Sequence, residues 1–456
     1  MPLILGANSV TGGYEVDNSL RFNSGSTEYL QRTPGSAGSL TTWTYSFWTK
    51  RSVLATAEQY LSAGPRGGGG NVEDQLYSIS TDQINWYDGT AASNVLRTTQ
   101  LFRDVSAWYH IMYVWDTTNA TAGDRARIYV NGAEVTAFSV DNNPSLNAVS
   151  KINGTGQHRI GQVGTLPGEN LNGYLAEVNF IDGQALDPDN FGEFDSDTGI
   201  WKPIVYTGSY GTNGFLLEFK DSSALGDDTS NNGNDFTVNN LTSIDQTTDT
   251  PTNNFATMNA VDNSSVTLSE GNLSASCASP SGCRSTIGVT TGKWYVEVKY
   301  QNTTSMCGVV AMEQAVTSQA IGAAIFGASG TAPELFLNGS TPADYDSATA
   351  FTANDIMQIA LDMDSNTVYF GLNGSWFDGT SWNSASPNTG HSLTTGYTYG
   401  VRASTGSGTS VNIWNFGNPP FAITTGNEDA NGYGNFEYAV PPGYYALCTK
   451  NLAEYG

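Results

Sequence analysis

Trp108-Tyr-His-Ile-Met-Tyr-Val-Trp-Asp116, a polar turn of Asn, Thr, Gly and Asp, and then Arg127-Ile-Tyr-Val-Asn-Gly132 is the stretch whose alternation decides the fold. A second stretch repeats the plan: Ile356 through Leu361 and Asp362, over Asp364, Ser365 and Asn366, into Val368-Tyr-Phe-Gly-Leu-Asn-Gly374. Each copy alternates apolar and polar residues at period two around a tight turn, the pattern of a β-hairpin with one buried face. Two such hairpins more than 200 residues apart imply two β-sandwich domains.

Composition supports an all-β chain. At 456 residues it exceeds what one hydrophobic core normally serves. The 51 glycines, the heavy use of Asn, Thr and Ser, and the 11% aromatic content fit many short strands joined by turns. No long stretch keeps a capped 3.6-residue apolar period, so helix should be minor. The expected fold is two antiparallel β-sandwich, jelly-roll-like domains joined by an extended connector.

The net charge is -25, with only 18 Lys and Arg. A field of that sign repels phosphates and anionic lipid surfaces, so neither nucleic acid nor membrane is expected as a partner. The acidic residues are scattered, which suits solubility; some loop Asp and Asn side chains would also suit calcium, a hard cation that takes oxygen donors. The apolar start Met1 to Gly6 is too short and uncharged for a signal peptide, and no 18-residue apolar run exists. Cysteines at 277, 283, 307 and 448 are too few for a disulfide scaffold and lack paired metal spacing. Cys277 and Cys283 flank a Ser/Pro/Gly turn; they could cross-link in an oxidising medium or stay free thiols in a protein made in cytosol.

Along the chain, residues 1–14 read as an N-terminal arm and 15–190 as a run of strands. Leu20 and Phe22, then Tyr45, Phe47 and Trp48, then Tyr77 and Ile79, then Ile84 and Trp86 mark four of them. The glycine run Gly67 to Gly70 has neither the lysine nor the strand-to-helix context of a phosphate cradle. Residues 191–256 loosen into an Asn/Asp/Thr-rich connector, 257–425 form the second run of strands, and 426–456 look like a tail laid over a surface.

The first run is similar to laminin-G-like, concanavalin A-like jelly rolls. Tyr45-Ser-Phe-Trp48, the Trp108-Tyr-His110 and Tyr129-Val-Asn-Gly132 hairpin, and Gly173-Tyr-Leu-Ala-Glu177 carry that resemblance. The second resembles a SPRY domain through Gly292-Lys-Trp-Tyr-Val-Glu297, the hairpin from Asp355 to Gly374, and Asn415-Phe-Gly417. The tandem resembles structural proteins of tailed bacteriophages. That implies a virion protein made in the host bacterial cytoplasm, partnered with other virion proteins and with a host-surface glycan or receptor. Homo-oligomers, trimers among them, are common in such fibres.

Jelly rolls of this kind include glycosidases, so the carboxylates need testing. A retaining enzyme needs two of them about 5 Å apart. Glu193-Phe-Asp195-Ser-Asp197 comes nearest but lacks the second glutamate, and is better read as an acidic loop. His110, His158 and His391 lie near no nucleophile elbow, and His110 reads as a hydrogen-bonded structural histidine. No catalytic residue, metal ligand or cofactor is therefore assigned, and the protein is not expected to be an enzyme. Binding remains, through aromatic faces that stack on sugar rings and polar side chains that take hydroxyls. Two clusters are candidates for exposed ligand-binding residues: Trp86 and Tyr87 beside Asp88, and Trp376, Phe377 and Trp382 with Asp378. Three functions follow: a host-recognising fibre or surface component, an architectural capsid decoration or tail-assembly subunit, and a glycan depolymerase.

Overall fold

The computed structural model describes residues 13–64, 73–164, 169–301, 304–318, 320–327, 332–340, 343–345, 350–405 and 408–456. The apolar start Met1 to Gly6, nearly all of the expected arm and the run Gly67 to Gly70 lie outside these. The described chain is 43% strand and 5% helix. It divides into two compact units that meet in sequence between Thr252 and Asn253.

In the first unit, the strands in chain order are β1 (Ser19–Phe22), β2 (Tyr29–Arg32), β3 (Thr42–Arg51), β4 (Glu58–Gly64), β5 (Asp74–Ser78), β6 (Ile84–Asp88), β7 (Ser93–Thr98), β8 (Trp108–Asp116) and β9 (Ala126–Val130). They continue with β10 (Ala133–Glu134), β11 (Phe138–Asp141), β12 (Gln157–Ile160), β13 (Gly173–Asp182), β14 (Gly192–Phe194), β15 (Trp201–Pro203), β16 (Phe215–Leu217), β17 (Thr237–Asn239) and β18 (Gln246–Thr247). One sheet runs β10-β9-β8-β3-β13-β1-β18, with β16 also on β13; the other runs β11-β7-β6-β5-β4-β12-β2-β17. Between them lies one core that includes Trp43, Tyr45 and Phe47 of β3, Ile111, Tyr113 and Trp115 of β8, and Leu76 and Trp86 of the facing sheet.

The predicted hairpin is β8 with β9, registered from Trp115 opposite Ala126 to Ile111 opposite Val130. Its Asn-Gly end is turn chemistry. Asn131 sits at φ 48° and Gly132 at φ 78°, the left-handed region that Asn tolerates and Gly prefers. Asn131 Oδ1 accepts the His110 backbone N–H at 2.8 Å, and Asn131 N returns a bond to His110 O at 2.9 Å. The second unit repeats the contact: Asn373, at φ 49°, accepts from Ile356 N at 2.9 Å and donates to Ile356 O at 2.9 Å. A side chain at Gly132 is excluded, because its Cβ would lie 2.3 Å from the Trp201 ring.

The domain boundary differs from the expected one. Residues 191–252 do not bridge two bodies but complete the first, pairing β16 with β13, β17 with β2 and β18 with β1. The tract looks like linker because its apolar residues are sparse, yet Leu217, Phe219, Leu225, Phe236 and Leu241 are all buried in the core. Other parts of it cover the outer face of the β3-β8-β13 sheet. Trp201 packs on Trp48, Trp108 and Tyr174, and Phe191 on Met112 and Val114. That sheet is therefore buried on both faces, so the first hairpin does not have the single buried face that its alternation predicts: Met112 and Val114 on the outer side of β8 are as buried as Ile111 and Tyr113.

The second unit, residues 253–456, links fifteen described strands into one ladder around its own core. Lys293–Tyr300 pairs with Ile356–Asp362, and that with Thr367–Leu372, which is the second predicted hairpin. The expected surface tail is integral instead. Phe436, Ala446 and Cys448 are fully buried, Tyr445–Ala446 adds a parallel pairing to Trp294–Tyr295, and Thr449–Tyr455 is an α-helix. Buried Glu297 anchors it, accepting the backbone N–H of Glu437 at 3.0 Å and of Tyr438 at 2.8 Å. All four cysteines are free and buried, and burial pushes the Cys283 thiol up to about 12.

Candidate ligand-binding face

Period-two alternation sorts the β2-to-β7 sheet into rows. The inward row is Leu61, Leu76, Trp86 and Leu96, opposite one another on β4, β5, β6 and β7. The outward row carries no aliphatic side chain across six strands: Gln31, Arg159, Ser62, Gln75, Tyr87 and Asn94. A second outward row is Gln59, Tyr77, Asn85 and Arg97. Solvation alone is served by Thr, Lys or Glu; these positions hold amides, tyrosines and arginines, which bond in both directions or present flat faces.

The rows are tied into one network. Arg97 Nε donates to Asn85 Oδ1 at 2.8 Å, and Asn85 Nδ2 donates to Asn94 Oδ1 at 2.9 Å. Gln59 Nε2 donates to Glu169 Oε2 at 2.9 Å and to Gln75 Oε1 at 3.3 Å. Glu73 takes Arg159 Nη1 at 3.3 Å and Gly164 N at 2.9 Å. The face is closed at β4, where Gln59 and Ser62 are fully buried and Ser62 Oγ donates to Gln162 O at 2.9 Å. Toward β7 it opens, with Tyr77, Tyr87, Asn94 and Arg97 half-buried. At the closed end two buried atoms have no hydrogen-bond partner among the described residues: Gln59 Oε1, an acceptor, and Gln75 Nε2, a donor. Burial, and next the charge of Glu169, pushes the Tyr77 hydroxyl up to about 12, while partial burial raises the Glu169 carboxyl.

The clusters expected to be exposed are mostly interior. Trp86 is 1% exposed and packs on Trp43 and Trp115 at 5.4 Å each. Its neighbour Tyr87 points the other way, into the outward row, and Asp88 is a turn residue accepting from Thr90 N and Ala91 N. Trp376 and Phe377 are buried, Phe377 stacking on Tyr345 at 3.9 Å. Trp382 is half-buried against Phe377 at 5.6 Å, and Asp378 caps Thr380 N and Ser381 N. The Asp-Gly turns beside both clusters look like loop signals, but the aromatics before them end strands whose inner faces need large side chains. Of the seven residues, only Tyr87 joins the face described above.

Gln59, Gln75, Tyr77, Asn85, Asn94, Arg97 and Glu169 were not singled out from the sequence. The signal was present in Gln75-Leu-Tyr77 and Asn85-Trp-Tyr87, where the polar partners of an alternating strand are unusual. Bulges between Gln59 and Leu61 on β4 and between Asn94 and Leu96 on β7 break the period on the flanking strands and hide their register.

The serine–histidine contact between Ser46 and His110 is not a nucleophile with its base. Trp201 Nε1–H donates to His110 Nδ1 at 3.1 Å, so the imidazole proton sits on Nε2 and is given to Ser46 Oγ at 2.8 Å. A base needs its lone pair toward the hydroxyl. Burial also pushes the His110 imidazole down to about 3, keeping it neutral. Glu193 pairs with Lys202 at 3.1 Å, and Asp195 accepts from Asp197 N and Thr198 N, which is loop capping. Among the described residues no group of three or more His, Cys, Asp or Glu is placed to hold a metal ion, and no helix is long and apolar enough to cross a membrane.

A family model described as the concanavalin A-like lectin/glucanases superfamily matches residues 24–190. Among solved structures, the heptameric SAP-like pentraxin from Limulus polyphemus is similar at 19% identity and a TM-score of 0.29, over 38% of this chain and 78% of the pentraxin. The SPRY domain of human HERC1 is similar at 15% identity and a TM-score of 0.26, over 34% of this chain and 96% of that domain. The TRIM65 PSpry domain is similar at 12% identity and a TM-score of 0.27, over 35% and 91%. Among curated proteins none matches.

Proposed function

We propose that the outward face of the β2-to-β7 sheet binds a glycan, and that the chain is a recognition component of a tailed-bacteriophage virion rather than an enzyme. The observation that carries the binding part is the outward row itself: amides and tyrosines in register, open at β6 and β7. Tyr77 and Tyr87 supply faces for the apolar side of a pyranose. The ligand enters over these tyrosines and runs toward β4.

The virion part rests on the tandem of a laminin-G-like and a SPRY-like unit and on the acidity of the chain. It places the protein among other virion proteins, displayed as a fibre or surface component. Fluorescently labelled protein should stain host cells and lose the stain when the Tyr77 and Tyr87 rings are removed together. Density for the chain in a particle reconstruction, with the outward face turned to solvent, is the matching expectation. A face packed against other virion proteins would favour the architectural role.

A further inference from the structure

We infer that the glycan carries an anionic group, a carboxylate or a sulfate, and that Arg97 holds it; this rests on the glycan-binding reading of the same face. The interior cations of the first unit are each matched by a carboxylate: Arg21 with Asp245, Lys50 with Asp249, Arg51 with Glu58 and Arg159 with Glu73. Arg97 makes no ion pair among the described residues, although the chain holds 43 Asp and Glu against 18 Lys and Arg. It is half-buried, and its Nε is committed to Asn85, which in turn is fixed by Asn94. That commitment sets the plane of the guanidinium and leaves its two terminal nitrogens as a fork, the geometry that takes a carboxylate or sulfate through two parallel bonds.

The row also separates charges. Gln59, which holds Glu169, lies on β4, and Arg97 lies on β7, three strand spacings away. At about 4.8 Å per spacing the two strands are roughly 14 Å apart, so Arg97 stands at the open end of the face and Glu169 at the closed end. The acidity of the whole chain does not oppose the contact, since charge beyond about 8 Å is screened at physiological salt.

The test is direct binding of the full chain to an array of uronate-containing, sulfated and neutral oligosaccharides, the neutral set including carboxyl-reduced forms of the uronates. The wild type should bind an acidic member about tenfold or more tightly than its neutral counterpart, as charge-assisted pairs allow. The uronate and sulfate arms show which anion it is. R97Q should bind the acidic member no more tightly than its neutral counterpart, and R97K, which retains charge without the fork, should show an intermediate preference. Equal binding of acidic and neutral forms by the wild type overturns the inference, as does a preference that survives in R97Q; if R97Q does not fold, a preference undiminished in R97K overturns it. Binding confined to neutral sugars overturns this inference alone. Binding of none overturns the glycan reading with it.

Discussion

Gln59 and Gln75 meet across neighbouring strands, Gln59 Nε2 donating to Gln75 Oε1 at 3.3 Å, and each keeps its other amide atom buried without a partner. An unmatched buried polar atom costs about 1–3 kcal/mol, so this pair adds little to stability. Removing it should be cheap for the fold. Gln75→Ala should shift the melting temperature little while abolishing glycan binding; a large drop in melting temperature with binding intact would assign the pair to the core instead.

Trp86 and Tyr87 are adjacent in sequence and opposite in role. Trp86→Ala opens the core beneath three aromatic neighbours, Trp43, Tyr113 and Trp115, and should cost about 3–5 kcal/mol in denaturant unfolding. Tyr87→Ala, on the outward row, should cost far less and weaken ligand binding. Similar unfolding costs for the two would contradict the register.

His110 should stay neutral through the physiological range. Its imidazole is held down at about 3 by burial, while the unfolded side chain titrates near 6.5. The unfolded state therefore takes up the proton first, and this group's stability, complete above about pH 6.5, drains as pH falls toward 3. Nitrogen NMR of the ring should show an Nε2–H tautomer at pH 5.5; an imidazolium there would refute the Trp201–His110–Ser46 chain.

Glu297 acts in the opposite sense. Burial raises its carboxyl to about 7 despite bonds from Glu437 N, Tyr438 N, Tyr295 and Asn415. The folded state thus binds the proton more tightly, so its stabilisation is complete below about pH 4.3 and is lost as pH rises through about 7. Relative to Glu297→Gln, the wild-type second unit should lose stability between pH 5 and 8. Parallel profiles would show that Glu297 does not titrate in that window.

Much of the fold could be read from alternation. Both hairpins announced themselves as two apolar strands around a polar turn ending on Asn-Gly, and Asn131 and Asn373 could be read as turn residues because left-handed backbone favours Asn. The span from 191 to 252 could be read only in part: Phe215, Leu217 and Phe219 alternate as a strand, but the buried Leu225, Phe236 and Leu241 are separated by polar stretches longer than either period. The binding face was hidden for a different reason. Sequence separates Gln59 from Arg97 by turns and bulges, and only strand pairing puts Gln59, Tyr77, Asn85 and Arg97 in one line. Burial of Trp86, Trp376 and Phe377 was equally invisible, since an aromatic beside Asp-Gly marks a strand end as well as it marks a loop.

The most direct measurement is hydrogen–deuterium exchange of the full chain with and without an oligosaccharide that binds it. Glycan recognition by the outward face predicts ligand-dependent protection of β5, β6 and β7, residues 74–98, lost in a Tyr77→Ala/Tyr87→Ala variant that melts as the wild type does. Protection confined to the second unit, or protection of 74–98 that persists in that variant, would contradict it.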